Sequence, residues 1–190
     1  MGRTIDVVIG ESFDSIIHDK GSYLPNIMTR YCTTEMKLRP LFRKWKEVCN
    51  EPIKMQIGFR ANEQSRAKKM TERLNHDGFI EFKDIVGKHK NGNNIWETIA
   101  WQKPTFPLID DGIFKDHVVE FWKDKPVKFA PLNNCVGCFH RNPLLLRKMF
   151  DDHPNKMEWF ERQETQSNNR WKREITYSQI KKHKMQMTLD

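Results

Sequence analysis

Pro52-Ile53-Lys54-Met55-Gln56-Ile57-Gly58-Phe59 is the stretch on which the fold class turns. Apolar and polar residues alternate from Ile53 to Ile57, the period of a strand with one buried face, and Gly58 closes the run. The loop that follows, Arg60-Ala61-Asn62-Glu63-Gln64-Ser65-Arg66, leads into an expected helix from Ala67 to Leu74. Strand, short polar loop and helix make the repeating unit of an α/β sheet, and open α/β sheets bind ligands at the loops leaving the strands' C-terminal ends. Arg60 and Arg66 beside helix-start amides suit phosphate or sulfate. A solvated polar loop is the plainer reading of the same residues.

Working outward, Thr4-Ile5-Asp6-Val7-Val8-Ile9 is a second β-branched run, expected to share the sheet. Ser12 should cap a short helix with Phe13, Ile16 and Ile17 on one face. Thr33 or Thr34 should cap the next helix, which Pro40 either kinks or starts again as a second part, with Leu38, Leu41, Phe42 and Trp45 buried. Residues 78–102 hold two β-like runs and are expected to form an inserted hairpin or loop. Asp116 should start a helix with Val118, Val119 and Phe121 partly buried, and Pro143 suits a first helical position, with Leu144, Leu145, Met149 and Phe150 on the apolar side. His153-Pro154 breaks that helix. Two more are expected, at about 155–163 and from Thr176 or Ser178. Residues 131–190 thus form a cysteine-bearing helical part, and 1–190 reads as a single domain.

Composition narrows the function classes. With 190 residues and 37% hydrophobic content the chain can bury a core. Its net charge of +8 points to an anionic partner such as nucleic acid, nucleotide or sulfate, with solubility as the alternative. No run is long and apolar enough for a bilayer and the start is charged, so the expectation is a cytoplasmic protein with no membrane partner. In a reducing compartment the four cysteines read as ligands, catalysts or core residues before disulfides.

Cys135-Val136-Gly137-Cys138 can turn both thiols toward one metal ion, Gly137 easing the turn. That supplies half of a tetrahedral site, and the remaining candidates are His140, Cys32 and Cys49. A reduced, half-buried pair without metal, or a redox dithiol, fits the same spacing.

Three motifs in order carry a resemblance: Arg30-Tyr31-Cys32-Thr33 with Lys37 and Pro40-Leu41; Ile57-Gly58-Phe59-Arg60-Ala61-Asn62-Glu63 with Arg66; and Asn134-Cys135-Val136-Gly137-Cys138-Phe139-His140. Together they resemble the phosphoadenosine phosphosulfate reductase family, above all its small phage and prophage members, which would place the protein in the host cytoplasm. The resemblance implies an adenine-nucleotide alpha-hydrolase-like fold, a doubly wound, mainly parallel sheet with helices on both faces, here truncated at the N-terminal βα unit and lacking the family's Ser-Gly-Gly phosphate loop. It implies binding of an adenine nucleotide or sulfonucleotide through Lys37, Arg60 and Arg66, with Arg30 as a weaker case. By the same resemblance Cys32, Cys135 and Cys138 match cluster ligands, with His140 as the preferred fourth, for an iron–sulfur cluster or zinc. Tyr31 stands where the iron–sulfur branch has a second cysteine, and no residue matches the family's catalytic C-terminal cysteine. Two functions follow: an oxidoreductase or nucleotidyl-type enzyme, or a non-catalytic, metal-stabilised accessory module tied to phage nucleic-acid modification or defence, with a nucleic acid or a completing protein chain as partner.

Overall fold

The structure, a computed structural model, describes residues 7–49, 51–126 and 135–183. The chain divides into two compact units, Met1–Pro40 with Leu132–Asp190, and Leu41–Pro131. Of the strand expected at Thr4–Ile9, the first three residues lie outside the described part. Val7 and Ile9 are in no strand, 79% and 87% exposed.

In the first unit α1 (Phe13–Asp19) begins as expected: the Ser12 hydroxyl accepts from Ser15 N at 3.1 Å, and Ile16 and Ile17 are buried. The next helical run starts earlier than the threonines suggested. Arg30 is the N-cap of α2 (Tyr31–Thr33), a π-helical turn covers Thr34–Leu38, and α3 (Arg39–Val48) continues it. Pro40 has no N–H to give the carbonyl one turn back, and the wider π turn accommodates that loss, with Arg39 N–H reaching back to Thr34 O.

The second unit holds the sheet: β1 (Ile53–Gln56), then a 3₁₀ turn at Ala61–Glu63 and α4 (Gln64–Thr71), then β2 (Ile80–Lys88) and β3 (Asn94–Thr105) in the order β1-β3-β2. β1 runs parallel to β3, Ile53 opposite Gln102, while β2 is antiparallel to it. The result is a mixed α/β fold with a small three-stranded mixed sheet. Residues 78–102 do form a hairpin, and its second strand is the middle of the sheet. Gly92, at φ +84°, turns that hairpin in a conformation that disfavours a side chain. Phe42 and Trp45 of α3 pack with Phe82 and Trp101, Phe42 stacking on Phe82 with centroids 4.7 Å apart. Leu38 and Leu41, expected to be buried, stay exposed, because the face carrying Phe42 and Trp45 turns them outward. α5 (Pro107–Asp110) and α6 (Lys115–Trp122) complete the unit. α6 is capped by Phe114, whose N–H is taken by His117 Nδ1 at 3.2 Å, in place of the expected Asp116; Val119 and Phe121 are exposed.

Back in the first unit, α7 (Pro143–Asp152) has Pro143 at its first position, capped by the Asn142 side chain, which accepts from Leu144 N at 2.8 Å. Its buried face is Leu146, Met149 and Phe150; the expected Leu144 and Leu145 are exposed, Leu144 on the opposite side of the helix and Leu145 at the edge of the face that the core selects. α8 (Pro154–Ser167) runs longer than expected and ends at Asn168 in the left-handed region, φ 51°. α9 (Tyr177–Lys182) is capped by Thr176. Leu24, Leu146, Met157, Trp171, Tyr177 and Ile180 form the centre of this unit's core.

Glu63 yields a test. Burial would raise its carboxyl, but hydrogen bonds from Arg60, whose Nε lies 2.9 Å away, and from Arg66 outweigh burial and hold it down to about 2. A depressed carboxylate stabilises the fold above its unfolded value near 4.5 and loses that contribution as pH falls toward 2. Glu63→Gln should therefore cost about 1–2 kcal/mol at pH 7 by urea unfolding, and the cost should fade on acidification. A cost that is the same at pH 7 and pH 3 would contradict this assignment.

Candidate functional site

The CxxC turn is built by capture of its carbonyls. Cys135 O accepts from Cys138 N at 3.1 Å and from Arg141 Nε at 3.1 Å. Gly137 O accepts from the Tyr177 hydroxyl at 2.8 Å, and Cys138 O from Arg141 N at 2.9 Å. Lys172 Nζ reaches Phe139 O at 2.7 Å and Arg141 O at 3.2 Å. The donors Lys172 and Tyr177 come from the segment after α8, so the turn is fixed by residues remote in sequence. Gly137 is buried with its α-carbon against a ring: a Cβ there would lie 2.3 Å from Phe160 Cδ2.

Beside the turn is a cavity of about 730 Å³. Cys32, Cys135, Cys138 and His140 line it, as do Arg30 and Lys37. The structure thus gathers six of the residues singled out from sequence around one space. Burial lifts the Cys32 thiol above its ordinary value, Thr33 hydrogen bonds pull it back, and the neighbouring Cys135 and Cys138 add to the rise, like charges opposing ionisation. Cys32 is half-buried and Cys135 exposed. His140 is held below its usual value by burial and by the charges of Arg30 and Lys172, which favours the neutral imidazole that a metal or a proton requires.

The other two arginines are elsewhere. Arg60 and Arg66 belong to the second unit, where both are engaged with Glu63 and Arg66 also lies 4.3 Å over the Phe59 ring. Cys49 is in that unit too, exposed, its Sγ 3.6 Å from Glu51 O.

Thiols and an imidazole are the soft and borderline donors that zinc and iron take. Among the described residues no three His, Cys, Asp or Glu side chains are already gathered as a cage. Protonated thiols have little reason to close on one another; losing their protons to a cation is what draws such ligands together. The donor set fits, and closure would require side-chain movement.

Residues that the sequence reading did not assign to the site also line the cavity: Phe13, Asp14, Lys156, Trp159 and Trp171. Phe13 is expected from sequence only on an apolar helix face, and neither Asp14 nor Trp159 belongs to a motif. The signal was available in retrospect only as pairing of distant segments, since Trp159 Nε1 donates to Asp14 Oδ1 at 3.0 Å. No protein-family model, curated protein or solved structure matches the chain.

Gly137→Ala tests the turn. The added methyl must displace the Phe160 ring, which is 9% exposed, and overpacking of this kind costs about 1–3 kcal/mol. Urea unfolding should show that loss, and unchanged stability would mean that the turn does not sit on Phe160.

Proposed function

We propose that this chain is a phosphoadenosine phosphosulfate reductase-like protein that binds an adenylyl or sulfonyl nucleotide at the cavity beside the CxxC turn. One observation carries the reading: Arg30 and Lys37 line the same space as Cys32, Cys135, Cys138 and His140. A guanidinium fork and an ammonium are the donors that a phosphate or sulfate takes, and thiols beside them are the chemistry that a sulfonyl group meets. The finer fold reading, a doubly wound and mainly parallel sheet, goes with this proposal. It is supported by the parallel β1–β3 pair and by α4 following β1 across a short loop. The family resemblance favours a cytoplasmic setting.

Within the cavity each residue has a distinct task. Arg30 and Lys37 hold the oxyanion end, and Phe13 and Trp159 line the same cavity. Cys32, Cys135, Cys138 and His140 would hold a zinc ion or an iron–sulfur cluster. Zinc there would supply Lewis acidity, and a cluster one-electron transfer. Lys172, by holding the carbonyls on either side of His140, keeps that imidazole at the cavity.

The test has two arms. Protein purified without oxygen should carry iron or zinc, and Cys32→Ser should lose it as fully as Cys138→Ser does. Adenosine 5′-phosphosulfate should bind, and Arg30→Ala should weaken it by about 1.5–3 kcal/mol, the range for hydrogen bonds to a charged group. Metal-free protein would end the metal part of the proposal. Equal affinity of the Arg30 variant would remove Arg30 from the site.

A further inference from the structure

The hairpin of β2 and β3 gives one side to the core of its unit and leaves the other open. Side chains alternate across a strand, so the register sorts them. Phe82 lies opposite Ile99 and Asp84 opposite Glu97 on the side that packs with Phe42 and Trp45. On the other side Lys83 lies opposite Thr98, Ile85 opposite Trp96 and Lys88 opposite Asn94. Trp96 is 46% exposed, and the Lys83 ammonium stands 5.7 Å from the centroid of its ring.

The charge on this open side has one sign. Lys83, Lys88 and Lys90 are exposed, and none of them has an ion-pair partner among the described residues. No acidic residue occurs from Ile85 to Trp96. Asp84 is buried on the core side, and Glu81, farther along the open side, already accepts from Asn75 Nδ2 at 2.9 Å. The tip that carries Lys90 is fixed by its own hydrogen bonds: His89 N donates to Asn93 O at 2.8 Å, Gly92 N to His89 O at 2.9 Å and Asn93 N to Asn91 Oδ1 at 3.1 Å.

Other occupants leave part of this surface unused. Another strand would add along the outer edge of β2, where the register shift between Ile85 and Gly87 interrupts the ladder and exposed lysines stand beside it, both of them devices that keep an edge unpaired. An apolar protein surface would cover Trp96 and strip water from three cations at a cost. An acidic polypeptide would meet the cations and give the indole no flat partner. A single strand of nucleic acid uses both features, because its bases stack on exposed aromatic rings while its phosphates take the lysines. Lys83 and Lys88 are about 16 Å apart along β2 at ~3.3 Å per residue, and Trp96 lies across from Ile85 between them. A base stacked on Trp96 therefore has a cation on either side, and the chain's net charge of +8 has the sign that this partner needs.

We propose that the open side of the β2–β3 hairpin is a docking surface for single-stranded nucleic acid: a base stacks on Trp96, Lys83 and Lys88 take the phosphates flanking it, and Lys90 at the tip takes a further one. The surface uses no residue of the cavity beside the CxxC turn, so it stands or falls independently of the nucleotide reading.

Fluorescence anisotropy of labelled oligothymidylate and oligouridylate with the full chain, over a salt series, tests it. Both strands should bind, and Trp96→Leu should weaken them about tenfold, the scale of one base–aromatic stack. Lys88→Ala combined with Lys90→Ala should lower the slope of log Kd against log salt by about 1.4, the value for two phosphate contacts on a single strand. These side chains are exposed, and urea unfolding should find the variants as stable as the parent; the lysine pair keeps the test open if Trp96→Leu fails to fold. Tighter binding of one strand would assign the surface to DNA or to RNA, and either result supports it. An excess of adenosine 5′-phosphosulfate should leave the strand bound, and displacement would overturn the proposal by placing the strand at the cavity. Polyglutamate competing as well as oligothymidylate, a duplex bound tighter than the strand, full affinity in Trp96→Leu, or no binding at all would each overturn it.

Discussion

The site depends on the capture of the carbonyls of residues 135–141 by side chains that come later in the chain. A tight turn beside a cavity leaves backbone oxygens that water cannot fully reach, and each unpaired one would be costly. Tyr177 and Lys172 meet that need, and Arg141 meets it from within the turn. Those donors are themselves anchored. Glu164, buried at 8% exposure, accepts from Trp171 N at 3.1 Å and Tyr177 N at 2.6 Å, and Trp171 Nε1 donates to Phe160 O at 2.9 Å. Burial lifts the Glu164 carboxyl above its ordinary value even against those two amides. α8, the loop after it and the start of α9 are therefore one framework, and the cysteine turn is mounted on it.

The second contribution comes from the other end of the chain. The π turn at Thr34–Leu38 follows from Pro40, which cannot donate to the preceding turn, and it lies between Cys32 and α3. Cys32 and Lys37 both reach the cavity from this run. Its start is tied down by the Tyr31 hydroxyl, which donates to Tyr23 O, and Glu35 joins Lys20 to Arg39 at 3.2 and 2.7 Å. A local backbone irregularity set by one proline thus belongs to the segment that delivers a thiol and a cation to the same space.

Much of this was legible in the sequence where the signal is local. The Ser12 cap, the hairpin of β2 and β3, and Pro143 at the head of α7 each depend on a few adjacent residues, and each is found. Signals that depend on which face the core selects were not legible. Leu144 and Leu145 looked as buriable as Leu146, and only the positions of Met149 and Phe150 on the finished helix decide among them. The same limit applies at the site. Grouping Cys32 with Cys135 and Cys138 came from three motifs in order, whereas Asp14 and Trp159 belong to no motif and are joined by a hydrogen bond across the fold. Periodicity marks a tryptophan as apolar; it does not say whether the ring faces a core or a cavity.

The central claim is that Cys32 stands with the CxxC cysteines although the chain between them is long. Brief oxidation of the reduced, metal-free protein with diamide, followed by mass mapping of the linked peptides, reads that proximity directly. A bridge from Cys32 to Cys135 or Cys138 is the result expected. Bridges confined to Cys135–Cys138, or reaching Cys49 instead of Cys32, would contradict it.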